Sequence, residues 1–145
     1  MTLEADIKSI LVDSHTIAVV GLSPNPQRAS FDVARYMQAA GYRIIPVNPM
    51  AGVAQILGET VYASLLDASQ SETIDLVNCF RNSNDMAPIV DQAIAIGASA
   101  VWMQLGVAHA DAADKATLAG LKVVQDRCLK IDHRMFQSRQ GRIQV

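Results

Sequence analysis

Directly after the apolar run Ile17–Val20 comes Gly21-Leu22-Ser23-Pro24-Asn25-Pro26-Gln27-Arg28, a loop with one glycine, short polar side chains and a closing arginine. Amides exposed after a glycine turn, a serine hydroxyl and the positive end of a following helix are the groups that hold a phosphate, and a guanidinium is the usual clamp over it. Further polar residues follow the later apolar runs: Asn48 and Pro49, then Cys79, Phe80 and Arg81, then Gln104 and Gly106, and finally Asp126, Arg127 and Cys128. Part of this pattern belongs to any set of strands, which must end in something polar.

The loop lacks two of the glycines of the GxGxxG dinucleotide fingerprint, and Asn48 stands where a nicotinamide site places a carboxylate for the ribose. The pattern therefore points to a nucleotide site other than that of an ordinary NAD enzyme. Catalytic chemistry is harder to assemble. Cys79, Cys128, His15, His109 and His133 are the only thiols and imidazoles, and they form no recognisable nucleophile-base motif. His109 beside Asp111 reads as a helix cap, Trp102 as core, and Arg134, Arg139 and Arg142 as a solvated or frayed end.

Alternating β-rich runs and helical patterns must position these groups. Strands are expected at Thr16–Val20, Tyr42–Val47, Thr60–Tyr62, Ile74–Asn78, Ala98–Met103 and Lys122–Val124. An amphipathic helix carries Leu3, Ile7, Ile10 and Leu11; another starts with Ser30 as its cap and closes at Gly41; a third follows Ser83–Asp85 and ends before Gly97; a fourth spans Ala110–Ala119. Such alternation specifies an α/β fold, a mainly parallel sheet with helices on both faces, whose ligands lie at the carboxyl ends of the strands. We expect one domain over residues 1–145.

A formal charge of -2 argues against a nucleic-acid partner held by a basic field. Two distant cysteines give neither a disulfide framework nor zinc spacing, and the acidic N-terminal helix is no signal peptide; the expectation is a cytoplasmic protein without metal. The uncharged stretch Gln92–Ala110 has the length of a membrane span, but its glycines and polar residues read as helix end, turn, buried strand and loop.

Taken together, IAVVGLSPNPQRASFDVARYMQAAGYRIIPVNP, ILGETVYASLLD, IDLVNCFRNS, AIAIGASAVWMQLGV and GLKVVQDRCLKID closely resemble the small stand-alone CoA-binding proteins of bacteria and archaea, over about Thr16 to His133. That family is similar to the CoA-binding domain of the succinyl-CoA synthetase α subunit and of ADP-forming acyl-CoA ligases. The resemblance implies a Rossmann-like doubly wound fold and non-catalytic binding of coenzyme A or an acyl-CoA. Gly21, Ser23, Arg28 and Ser30 would meet the phosphates, Asn48 and Pro49 the adenosine, and Phe80, Arg81, Gln104, Gly106 and Cys128 the rest of the groove. Ala29 departs from a proline common in such loops, and Asp32 adds a negative charge near the phosphates. The ligases' phosphorylated-histidine domain has no counterpart in these residues, so no turnover is expected; an enzyme partner is unspecified. Two other readings use the same crevice: a nucleotide-dependent oxidoreductase or acyl-transfer enzyme using Cys79 or Cys128, and a regulatory scaffold whose nucleotide site is vestigial.

Overall fold

Five of the strands form one parallel sheet. The computed structural model describes residues 2–143, with side chains through Gln140. The order β2-β1-β5-β6-β7 is built from β1 (Thr16–Val20), β2 (Arg43–Val47), β5 (Leu76–Cys79), β6 (Ala100–Met103) and β7 (Lys122–Val124). Every pair in it is parallel. The chain winds from β1 outward to β2, then returns to lay β5 on the other side of β1. The strand order therefore reverses between β1 and β5, and a crevice opens at their carboxyl ends.

The strands are apolar on both faces because both are covered. On one side α3 (Leu65–Ser69), α4 (Met86–Ala95) and α5 (Ala110–Leu118) pack on Ala18, Val77, Cys79, Val101 and Met103. On the other, α1 (Leu3–Asp13), α2 (Ala29–Ala39) and α6 (Leu129–Ile143) pack on Ile17, Val19, Leu76 and Trp102. Trp102 is wholly buried and donates its indole N–H to the Arg127 carbonyl at 2.8 Å. Alternate residues of one strand thus serve two separate cores.

Several expectations need correction. Strand β5 begins at Leu76 and β6 at Ala100, because Asp75 terminates the sheet: its carboxylate accepts from the amides of His15 and Thr16 at 2.9 Å, and its carbonyl from Ser99 and Ala100. The strand expected at Thr60–Tyr62 is a hairpin of β3 (Gln55–Ile56) and β4 (Glu59–Thr60), with Tyr62 bridging to Val47. Its turn places Leu57 and Gly58 both at positive φ, +54° and +78°, and a leucine there gives no turn signal. Ser30 is not the cap of α2; Arg28 occupies that position, and Ser30 lies buried in the first turn. His109 does cap α5, its Nδ1 accepting from the Ala112 amide at 3.0 Å. The uncharged stretch from Gln92 resolves into the end of α4, a turn at Gly97 and β6, and no helix among the described residues is long and apolar enough to cross a membrane.

The largest correction is α6. The arginine-bearing tail is a fifteen-residue helix rather than a frayed end; the side chain of Arg142 lies outside the described residues. Polar contacts dock this helix. Asp132 takes a two-pronged contact from Arg127 at 2.8 and 2.7 Å, Lys130 reaches Asp32 at 2.8 Å, and buried His133 sits edge-on to both Tyr36 and Tyr42. Tyr36 Oη and His133 Nδ1 are 2.9 Å apart.

His133 makes the stability pH-dependent. Burial holds its imidazole below the ordinary 6.5, so the unfolded chain takes up this proton first. Its contribution is complete above about pH 6.5 and is lost as pH falls through the lowered native value. Between about pH 7.5 and 5.5 the parent protein should lose more thermal stability than His133→Gln does. Parallel melting curves with the same pH slope would refute this.

Candidate functional site

At the strand reversal, the backbones of β1 and β5 come too close for any side chain at Gly21. A β-carbon there would lie 2.3 Å from the Phe80 carbonyl oxygen and 3.1 Å from Arg81 Cδ, and the residue has φ +86°. Glycine is required twice over, by conformation and by space. The Gly21 amide is used internally, donating to Val47 O at 2.8 Å, so the turn is anchored to β2 as well.

The rest of the loop is braced by its own polar groups. Ser30 Oγ accepts from the Ser23 amide at 3.0 Å, Ser23 Oγ from Asn25 at 3.1 Å, and Asn25 Oδ1 from Gln27 at 2.9 Å. These hydroxyls shape the loop. The amides of Ala29, Ser30 and Phe31, in the first turn of α2, have no acceptor four residues back within the helix. Arg28 is exposed at the head of α2 and has no acid within 4 Å among the described residues. Asp32 does not oppose an anion with a free charge: Lys130 and Arg35 bind it, and the Lys130 hydrogen bond holds its carboxyl below the ordinary range.

Asn48 ties two loops together. Its Nδ2 donates to Leu22 O at 2.9 Å and its Oδ1 accepts from Met50 N at 2.9 Å, which leaves one amide hydrogen and one lone pair for a ligand. After β5, Arg81 is half-buried and meets Asp85 only at a loose 3.3 Å. Gln104 is buried, and its Oε1 accepts from Leu129 at the start of α6. The Gly106 amide donates to Asp126 Oδ1 at 2.7 Å.

An open groove of about 880 Å³ lies over the strand ends. Of the expected site residues, Gly21, Asn48, Phe80, Arg81, Gln104 and Gly106 line it. Pro49 instead lines an adjoining cavity of about 230 Å³ with Val47, Leu65 and Ile89, and Arg81 and Asp85 border both spaces. Ser23 and Arg28 stand in the loop above; Ser30 is buried beneath it; Cys128 is half-buried against the core beside α6. Met50 and Leu105 also line the groove but carried no sequence signal, and Ser83 and Asp85, read only as helix-capping residues, line it as well. Asn78, two residues before Phe80 and in register with Val19 and Trp102, is buried with no partner for its amide among the described residues.

The thiols differ. Cys79 is completely buried, and desolvation pushes its thiol far above the ordinary value, so it stays protonated. No group of three or more His, Cys, Asp or Glu among the described residues could hold a metal ion.

Fold and crevice together define a Rossmann-like doubly wound α/β protein with a groove at the switch point. Within that class the chain belongs to the CoA binding domain family, whose profile matches residues 15–134. It is 38% identical over 130 residues to the uncharacterized protein YneT of Bacillus subtilis (strain 168), an alignment covering 90% of this chain and 93% of the relative. A hypothetical protein from Pyrococcus horikoshii OT3 superposes with a TM-score of 0.85 at 36% identity, covering 92% of each chain. The apo dinucleotide-forming acetyl-coenzyme A synthetase 1 of Ca. Korarchaeum cryptofilum shares the fold at 18% identity and a TM-score of 0.66, over 79% of this chain and 26% of that one.

Proposed function

We propose that this protein binds coenzyme A or an acyl-CoA in the switch-point groove without turning it over, as a cytoplasmic carrier, sensor or partner of an enzyme. The observation that carries this reading is the convergence of Gly21, Asn48 and Arg81 on one groove at the strand reversal, with the loop that starts at Gly21 leading to exposed Arg28 and the open first turn of α2. CoA presents a pyrophosphate and a 3′-phosphate, and local cations with helix-end amides suit both on a net acidic chain. The adenosine lies at Asn48 and Pro49, its base at the small apolar cavity lined by Val47, Leu65 and Ile89. Phe80, Gln104, Gly106 and Cys128 flank the remainder.

A non-catalytic role is supported by the buried, protonated Cys79 and by the structural duties of the groove's polar side chains, with Asn48 and Gln104 both bonded within the fold. Calorimetric titration with CoA, acetyl-CoA, NAD and ATP tests the proposal. CoA compounds should give saturable heat and raise the melting temperature, while NAD and ATP give far less. Binding of NAD with no response to CoA would overturn it.

A further inference from the structure

Resting on the CoA reading above, we infer that the groove is built for a thioester bearing a neutral aliphatic chain, and that Leu105 is the surface on which the chain lies. Leu105 occupies the outer corner of a tight turn after β6. The Val107 amide donates to Gln104 O at 2.8 Å, and Gly106 in the following position has φ +81°, the arrangement of a type II turn. The turn is fixed on several sides. Gly106 N bonds to Asp126 Oδ1 at 2.7 Å, Ala108 N to Ser83 Oγ at 3.0 Å, and buried Gln104 anchors the turn to the start of α6. Asp126 holds φ +55°, a left-handed conformation uncommon for a side-chain-bearing residue.

A braced turn with a strained partner thus presents one leucine to a groove of mixed lining, with Asn82, Ser83 and Asp85 among its polar residues and Met50, Phe80 and Val107 its other apolar ones. Leu105 is 62% exposed and packs in neither core, so its place in the fold does not account for its apolar character. Strand order supplies the direction of the ligand. The smaller, half-open cavity reaches the end of β2 at Val47 and Pro49, Gly21 and Arg81 follow β1 and β5, and β6 comes next in the sheet. Three strand spacings separate β2 from β6, roughly 14 Å. A CoA with its base at β2 and its phosphates over β1 and β5 delivers its thioester end to Leu105. Asp126, whose carboxylate accepts from the Gly106 amide of the same turn, puts a negative charge next to Leu105 and disfavours an acyl group that ends in its own carboxylate.

The test is titration calorimetry of the whole chain with CoA, hexanoyl-CoA and succinyl-CoA, repeated on Leu105→Ser and Leu105→Met. A buried methylene is worth roughly fourfold in affinity, so hexanoyl-CoA should bind about tenfold or more tighter than CoA, and succinyl-CoA no tighter than CoA. Leu105→Ser should collapse the hexanoyl-to-CoA ratio to within about threefold, and Leu105→Met should keep it. Equal affinities of the parent protein for CoA and hexanoyl-CoA, or a ratio unmoved in Leu105→Ser, would overturn the inference while leaving CoA binding intact. No heat with any of the three would overturn the CoA reading itself.

Discussion

Gly21→Ala is expected to destabilise the protein by about 3 kcal/mol, from roughly 1 kcal/mol of backbone strain at positive φ and about 2 kcal/mol from forcing apart two packed strand ends. The second part is specific to this position. The new methyl would stand 2.3 Å from a backbone carbonyl oxygen, and Phe80 cannot retreat without breaking the hydrogen bond its amide donates to Val20 O at 2.8 Å. Gly97→Ala provides the comparison: its φ is +75°, but nothing lies within 4 Å of the added carbon, so it should cost only about 1 kcal/mol. Urea unfolding of both variants measures the difference. Equal midpoints would mean that the β1–β5 approach is slack. Because Arg81 Cδ lies 3.1 Å from the same added carbon, Gly21→Ala should also weaken CoA binding in whatever fraction stays folded.

The second large effect concerns affinity. Replacing both Arg28 and Arg81 by alanine should weaken CoA binding by about 3–6 kcal/mol, since each charge-assisted contact to phosphate is worth about 1.5–3 kcal/mol. Stability should change little. Arg28 has no ion pair among the described residues, and the Arg81 pair with Asp85 is long and half-exposed. Arg81→Ala alone has a further consequence, because Asp85 is then left without its cation beside an anionic ligand. The single Arg81 variant should therefore lose more affinity than the single Arg28 variant, and raising salt should narrow the gap. Undiminished CoA binding by the double variant would exclude the arginines from the site.

The parts that were legible in the sequence share a cause. The strands Thr16–Val20 and Lys122–Val124 have the bounds expected from their apolar runs, and Gly21 falls at the strand end its pattern indicated. Buried parallel strands leave a continuous apolar signature, and a glycine forced by the backbone stands out against it. Some polar signals misled, although the cap at His109 stands as expected. Ser30 has the composition of a cap but serves as an internal acceptor for Ser23, and Asp32 looks like a free charge until Lys130, from a helix 98 residues away, reaches it. Helix α6 escaped for the same reason: Asp132 and His133 are buried by specific partners, Arg127 and the two tyrosines, rather than by hydrophobicity.

By itself, the sequence determined the alternation of strands and helices, the parallel sheet and the glycine loop at its first strand end, because each follows from local periodicity and from the conformational freedom of single residues. Only the tertiary structure decided which loop residues share a groove. Strand order placed Leu105 and Met50 in one space with Gly21 and Arg81, drew Pro49 into a neighbouring cavity and tucked Ser30 beneath the loop. Proximity between residues far apart in the chain depends on how strands are ordered and how polar groups pair, and neither is written in the neighbourhood of any one residue.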